Sequence, residues 1–220
     1  GVNTPDGKNL IGAFLQPRLV LVDPEALITL PAKVFREGFA EIFKHAAIRD
    51  RPMLTDLEAL DPAQQRVAPD LIAANLSIKA RIVEEDEKET LGTRALLNFG
   101  HTIGHAIEST AEYGTLLHGE AISLGIRAAL YLSTKKCGLT PAESSRLLRL
   151  QEQWQLPLML DLELSTNDIM TALARDKKFS AGEVRFVLLR SLGDAFVSPE
   201  VTPADLVEAI EHIRGPLFES

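Results

Sequence analysis

Three of the chain's five histidines, His101, His105 and His118, fall within eighteen consecutive positions. Two belong to a repeated pair, Gly100-His101 and Gly104-His105, four residues apart. On an α-helix, positions i and i+4 lie one above the other on the same face. Imidazoles that share a face can share a metal, or a metal and a substrate. The third histidine follows a break at Tyr113-Gly114 and opens a second apolar run, His118-Gly119-Glu120-Ala121-Ile122. The positive end of a helix dipole there disfavours a protonated ring, and neutral is the form a metal needs. A single histidine is more often a hydrogen-bonded structural residue. Three on adjacent helical segments, each beside a glycine, point instead to a metal or catalytic site. The spacing first suggests His101 and His105 as paired ligands, half of an HExxH protease motif. Thr102 stands where that motif needs its glutamate, so a protease reading is weak.

Such side chains need helices to hold them, and from residue 31 onward helical periodicity dominates. Phe35, Phe39, Ile42, Phe43 and Ala46 mark the apolar face of a helix reaching residue 49, with Glu41, Lys44 and His45 on or near that face. A glutamate among buried aromatics is costly unless a cation or metal compensates it, and a solvated face fits the pattern equally well. A modest helix is expected over 53–60. A long one follows over 70–89, with Lys79 inside its apolar part and an acidic run at its end, read as a solvated face. The helix opened by His118 should stop at Gly138. Thr140-Pro141-Ala142-Glu143 is a capping box opening a helix to residue 155, in which Trp154 is expected to be core. Ser165 or Thr166 caps another helix to 174, followed by the turn Arg175-Asp176-Lys177-Lys178. Residues 184–189 and 195–197 read as a hairpin through Gly193, and Thr202-Pro203 opens a last helix to 213. Residues 1–30 differ, with a short apolar run over 10–15 and a strand-like run over 19–23. Two short strands cannot stand alone, so they read as the tail of a larger sheet.

Composition narrows the function classes. A formal charge of -8 and a pI near 5.2 argue against a nucleic-acid partner, and no run approaches the ~18 apolar residues of a membrane span. One cysteine, Cys137, excludes an internal disulfide and fits a reducing, cytoplasmic setting. There is no signal-peptide pattern. The chain opens without Met in a polar loop, and is expected to have been cut from something longer.

Gly7-Lys8-Asn9-Leu10-Ile11-Gly12, the Ala40-Glu41-Ile42-Phe43-Lys44 segment, Lys79 before Asp86-Glu87, the run from Arg94 through Asn98 and Gly-His-Thr-Ile-Gly-His to Glu108, Leu117-His118-Gly119-Glu120 and the Arg175–Lys178 turn occur in this order. Together they resemble 3-dehydroquinate synthases. The resemblance implies a mainly α fold: a helical metal- and substrate-binding domain over 31–220 with a small C-terminal β-hairpin. Residues 1–30 would then be the terminal strands of a missing α/β NAD-binding domain. It assigns the metal to Glu41, His101 and His118, with His105 contacting substrate. Lys44, Lys79, Arg94, Asn98, Asn9 and the Lys177-Lys178 pair match substrate-binding positions, and Lys8, Leu27 and Thr29 match edge contacts to NAD. The implied cofactors are NAD and a divalent ion, zinc or cobalt. The implied reaction turns 3-deoxy-arabino-heptulosonate 7-phosphate, a small sugar phosphate, into 3-dehydroquinate and phosphate. It runs through transient oxidation at C5, in a homodimer once the protein is full-length. The fragment alone is expected to be inactive. A sister cyclase such as 2-deoxy-scyllo-inosose synthase, or a non-catalytic helical interaction module, would share the scaffold. His45 departs from the family's usual tyrosine, and the segment over 89–94 is one residue longer than usual.

Overall fold

The computed structural model describes residues 1–4, 7–13, 15–112, 114–175 and 185–217. Two short strands, β1 (Val2–Thr4) and β2 (Gly7–Ile11), pair antiparallel. Residues 19–23, expected as a strand, form none: Leu19 and Leu21 stand 72% and 86% exposed. A strand exists through the backbone ladder it shares with a neighbour, and no described strand lies beside this one.

A 3-10 turn (Pro24–Thr29) capped by Asp23 leads into α1 (Ala32–Glu37) and α2 (Phe39–Arg49). The single helix expected here is divided by an elbow at Gly38. α3 (Met53–Glu58) follows, and then α4 (Pro69–Glu85), which ends before the expected residue 89. The reason is Asp86, which is buried rather than a solvated member of the acidic run. Its carboxylate accepts the backbone N–H groups of Thr90 (2.8 Å), Leu91 (3.0 Å) and Arg94 (3.2 Å), folding the run into a loop. Those N–H groups hold the Asp86 carboxyl below the usual range, against the opposing effect of burial.

A 3-10 turn (Arg94–Asn98) then delivers α5 (His101–Thr110), and α6 (His118–Cys137) follows. α7 (Pro141–Gln153), α8 (Thr166–Arg175), the hairpin β3 (Phe186–Ser191) and β4 (Asp194–Ser198), and α9 (Pro203–His212) complete the described chain. The Thr140–Glu143 capping box and the hairpin turn at Gly193 form as expected. The Gly193 N–H also donates to the Ala47 carbonyl of α2 (2.8 Å).

α6 is the spine. Residues 121–130 are buried without interruption, and α1, α2, α5, α7, α9 and β3 all pack against it. A helix covered on every side belongs in the interior. α5 approaches α6 so closely that only glycine fits. A Cβ on Gly125 would stand 1.9 Å from the Gly100 carbonyl oxygen, and one on Gly104 would stand 2.9 Å from that of Ala121. Gly100 also holds φ at 76°, the left-handed region open to glycine. The glycines of the repeated pair therefore serve helix packing, while the histidines beside them serve the site. Around the start of α2, Phe39 stacks on Trp154 at 3.4 Å, with Phe35 and Phe43 against the same indole. Trp154 is core, 1% exposed. Burying each such side chain contributes about 1.5–3 kcal/mol, which fixes α2 against the bundle. No helix among the described residues is long and apolar enough to cross a membrane.

Candidate metal centre and substrate pocket

Three helix starts converge. Glu41 lies in the first turn of α2, His101 opens α5 with His105 one turn on, and His118 opens α6. Glu41 Oε1 is 3.0 Å from His101 Nε2 and 3.5 Å from His118 Nε2. Its other oxygen, Oε2, accepts a hydrogen bond from the buried Lys44 Nζ at 2.5 Å.

Each of these imidazoles is held by its far nitrogen. His101 Nδ1 donates to the Phe99 carbonyl (3.1 Å), and His118 Nδ1 donates to the Glu108 carboxylate (3.0 Å). An acceptor on Nδ1 keeps the proton there and turns the Nε2 lone pair toward the site. Glu41 Oε1 is then a buried oxygen with no hydrogen-bond donor, facing two nitrogen lone pairs. Two nitrogens and one carboxylate oxygen are the donor set of a catalytic zinc-type site with a position left open. Ligands on one tetrahedral ion at Zn–N of about 2.0–2.1 Å stand about 3.3–3.4 Å apart. The two measured separations bracket that value. The residues present fit a divalent ion.

Electrostatics agree. Burial alone would raise the Glu41 carboxyl, but His101, His118 and the Lys44 charge outweigh it and hold it far below the usual range. His118 is raised above its ordinary value by Glu41 and Glu108, against burial. The pocket draws positive charge to its centre. Lys44 is lowered by burial, with Glu41 pulling the other way. His105 stands exposed at the rim, its ring centroid 5.0 Å from that of His101 and 5.6 Å from that of His118. Partial burial and the two neighbouring rings push it down to about 4. Ligand atoms of the three histidines lie within 4.8 Å of one another, a looser grouping than the Glu41 contacts.

Residues 38–179 match the family model for 3-dehydroquinate synthase C-terminal, and residues 1–37 match that for 3-dehydroquinate synthase N-terminal. This chain belongs to the 3-dehydroquinate synthase family. It is 42% identical over 213 residues to the 3-dehydroquinate synthase of Picosynechococcus sp., covering 94% of this chain and 58% of that protein. It is 44% identical over 216 residues to that of Nostoc punctiforme, covering 96% and 59%. The chain thus spans about three-fifths of the length of these relatives. Among solved structures, it is similar to the 2-epi-5-epi-valiolone synthase of Streptomyces hygroscopicus subsp. jinggangensis with NAD+ and Zn2+ bound. That likeness has a TM-score of 0.80 at 29% identity, over 97% of this chain and 60% of that one. A 2-deoxy-scyllo-inosose synthase complexed with carbaglucose-6-phosphate, NAD+ and Co2+ follows at TM-score 0.78 and 26% identity, over 96% and 61%.

Of the other positions matched to the 3-dehydroquinate synthase motifs, the structure gathers some and leaves others apart. Lys79 is exposed on α4, and its charge is felt at Lys44 and His45. Arg94 is turned to the acidic loop instead, pairing with Glu89 (3.1 Å) and donating to the Glu87 carbonyl (3.1 Å). Asn98 is half-buried at the end of its turn, three residues before His101. Leu27 packs on the edge of the core, and Thr29 Oγ1 donates to the Ala26 carbonyl (3.3 Å). Among the described residues, no hydrogen bond or ion pair joins Arg94, Asn98, Leu27 or Thr29 to the Glu41–histidine group. Lys8 and Asn9 lie on β2 with only their backbone described, and Lys177 and Lys178 lie outside the described residues. Sequence reasoning gave no role to Glu108, whose signal is its place seven residues, or two helical turns, after His101 on the same face of α5. It also missed a cleft of about 560 Å³ that runs from His105 between α5 and α8, lined by Thr102, Ser109, Thr110, Asp168 and Thr171.

Proposed function

We propose that this chain is the metal- and substrate-binding part of a 3-dehydroquinate synthase, with residues 31–220 as the helical domain and 1–30 belonging to an NAD-binding domain. Full-length, it would convert 3-deoxy-D-arabino-heptulosonate 7-phosphate to 3-dehydroquinate and phosphate. One observation carries the reading: Glu41 Oε1, buried and without a donor, faces the Nε2 lone pairs of His101 and His118. Family membership supplies the substrate. The solved relatives hold NAD+ with Zn2+ or Co2+.

Glu41, His101 and His118 would hold the ion. When bound, a divalent ion polarises substrate oxygens and NAD takes up and returns a hydride. The chain's own groups do the rest. Lys44 keeps Glu41 Oε2 fixed, so that Oε1 alone points to the centre. Phe99 and Glu108 hold the two imidazoles in the tautomer that binds. His105, neutral at the rim, can accept or donate a proton at a substrate hydroxyl without adding charge. Lys44 and Lys79 place positive charge beside the pocket, suited to the carboxylate and phosphate of this substrate.

The test uses the full-length protein with NAD and Zn2+ or Co2+. Phosphate release from the heptulosonate phosphate, with 3-dehydroquinate appearing and a chelator stopping both, is the expected result. Turnover of the sugar phosphate used by an inosose synthase, with none of the heptulosonate, would overturn the substrate assignment. Metal found on His101 and His105 but not on His118 would overturn the ligand set.

A further inference from the structure

Glu37 has no part in the metal set proposed above, yet it ties the elbow leading into the helix of Glu41 to the start of the helix of His118. It is the last residue of α1, one residue before the Gly38 elbow and four before Glu41. Its Oε2 accepts the backbone N–H of Gly119 at 2.6 Å, across eighty-two positions of sequence. Gly119 directly follows His118. The contact is tight on both sides, since a Cβ on Gly119 would stand 2.0 Å from the Glu37 carbonyl oxygen. One turn earlier on α1, Lys33 Nζ reaches Glu120 Oε2 at 3.0 Å. That same Glu120 oxygen accepts the Leu117 N–H (2.9 Å), closing the first turn of α6. Lys33 and Glu37 stand at i and i+4, on one face of α1. They reach Glu120 and Gly119, the two residues that follow His118.

We propose that Glu37 is a positioning residue: by fastening the α1–α2 elbow to the start of α6, it sets the separation of Glu41 from His118. The sequence puts these ligands on separate helices, so nothing local fixes their distance. An N–H in the first turn of a helix has no intrahelical acceptor, and a carboxylate there is doubly favoured, by the hydrogen bond and by the dipole. The bond is therefore strong enough to hold one helix end against the other. The inference rests on Glu41 and His118 sharing an ion, and its test separates the two ideas.

Co2+ is titrated into the metal-free full-length protein and into E37Q, E37A and G119A variants, recording calorimetric affinity and the visible ligand-field spectrum. E37Q keeps an oxygen that can accept the Gly119 N–H, so it should match the wild type in both. E37A should bind about 10–100-fold more weakly, as supporting contacts around metal ligands usually do on removal, with an altered spectrum. G119A, which forces the elbow away, should behave like E37A. Wild-type affinity and spectrum in E37A overturn the clamp. So does E37Q falling with E37A, because the effect is then one of charge rather than position. Should E37A lose its fold, E37Q against G119A decides by the same criteria. A wild-type protein that takes up no Co2+ overturns the metal reading, and the clamp with it.

Discussion

α6 buries charge at two places, and they are built differently. At its start, Glu41, Lys44 and the histidines crowd together with an oxygen to spare. Nine residues along, Arg127 lies 1% exposed, and among the described residues no carboxylate pairs with it. Its guanidinium instead donates to five carbonyls: Leu158 (2.5 Å), Ile213 (3.5 Å), His212 (3.2 Å), Gly215 (3.1 Å) and Pro216 (2.8 Å). Two of them, those of His212 and its C-cap Ile213, lie at the end of α9, where carbonyls lack intrahelical donors and the dipole is negative. The cage is finished by the chain itself, with only Nε lacking an acceptor. The histidine pocket is not, since its lone pairs have nothing of their own to bind. Burial of charge marks both regions, but only unanswered valence marks a site.

The comparison breaks most visibly at Arg127. Arg127→Met removes the side-chain donor of the Leu158, Gly215 and Pro216 carbonyls, while those of His212 and Ile213 keep the N–H groups of Gly215 and Leu160. A group left unsatisfied costs about 1–3 kcal/mol. We expect a loss of at least ~3 kcal/mol, or roughly 6–12 °C in Tm for a chain of this size. Metal bound per folded molecule should not change. Calorimetric unfolding with metal analysis of the folded fraction checks both halves. Metal loss in a stably folded R127M would show the two ends to be one unit.

His118→Ala should do the reverse. His118 is only half-buried, so the stability of the metal-free protein should move by less than about 1 kcal/mol, the usual range for partly exposed groups. Affinity for Co2+ or Zn2+ should fall by more than ~100-fold, beyond what loss of a supporting contact costs. Unchanged affinity would mean that His105 rather than His118 completes the set.

These two regions also show what could be read in advance. The histidines declared themselves because their spacing is local, and so did the Thr140–Glu143 cap and the Gly193 turn. Glu41 stood out as a carboxylate on an aromatic stripe, although the pattern alone left a solvated face open. Arg127 gave no signal. Its acceptors lie 31 to 89 positions away and are backbone atoms, which carry no residue identity. Glu37 escaped for the same reason, and Asp86 was hidden inside an acidic run whose other members are mostly solvated. The strand expected over 19–23 fails because pairing is a property of two segments, and composition describes one.

His45 offers a gentler probe, between the two extremes. It is 4% exposed on α2, with Nδ1 3.1 Å from Asn75 Oδ1 of α4. Burial, with the Lys44 charge, pushes it down to about 4. A base whose folded value lies below its unfolded one is neutral in the fold, and the unfolded chain takes up its proton first as pH falls. Stability from this group is full above about pH 6.5 and is lost progressively down to about pH 4. Between pH 7 and 5 that amounts to about 1–2 kcal/mol. His45→Phe should flatten this part of the Tm-against-pH curve, and an equally steep curve would assign the slope to other groups.

The smallest effect on the fold should come from Arg94, which asks to which kind of charge it belongs. In the structure it resembles Arg127, satisfied within the chain by Glu89 and the Glu87 carbonyl. But Glu89 is 56% exposed at its side chain, and a pair so open contributes about 0–1 kcal/mol. An ion pair that weak is released at little cost when a better anion arrives, whereas the Arg127 cage is not. Arg94→Met in the full-length protein should therefore leave stability within about 1 kcal/mol of the wild type and metal content unchanged. If Arg94 swings to a substrate oxygen in a water-poor pocket, its loss removes ~2–4 kcal/mol of transition-state binding, and kcat/KM falls ~30–1000-fold. Normal turnover with a lowered Tm would instead place Arg94 with Arg127, as a charge that the chain keeps for itself.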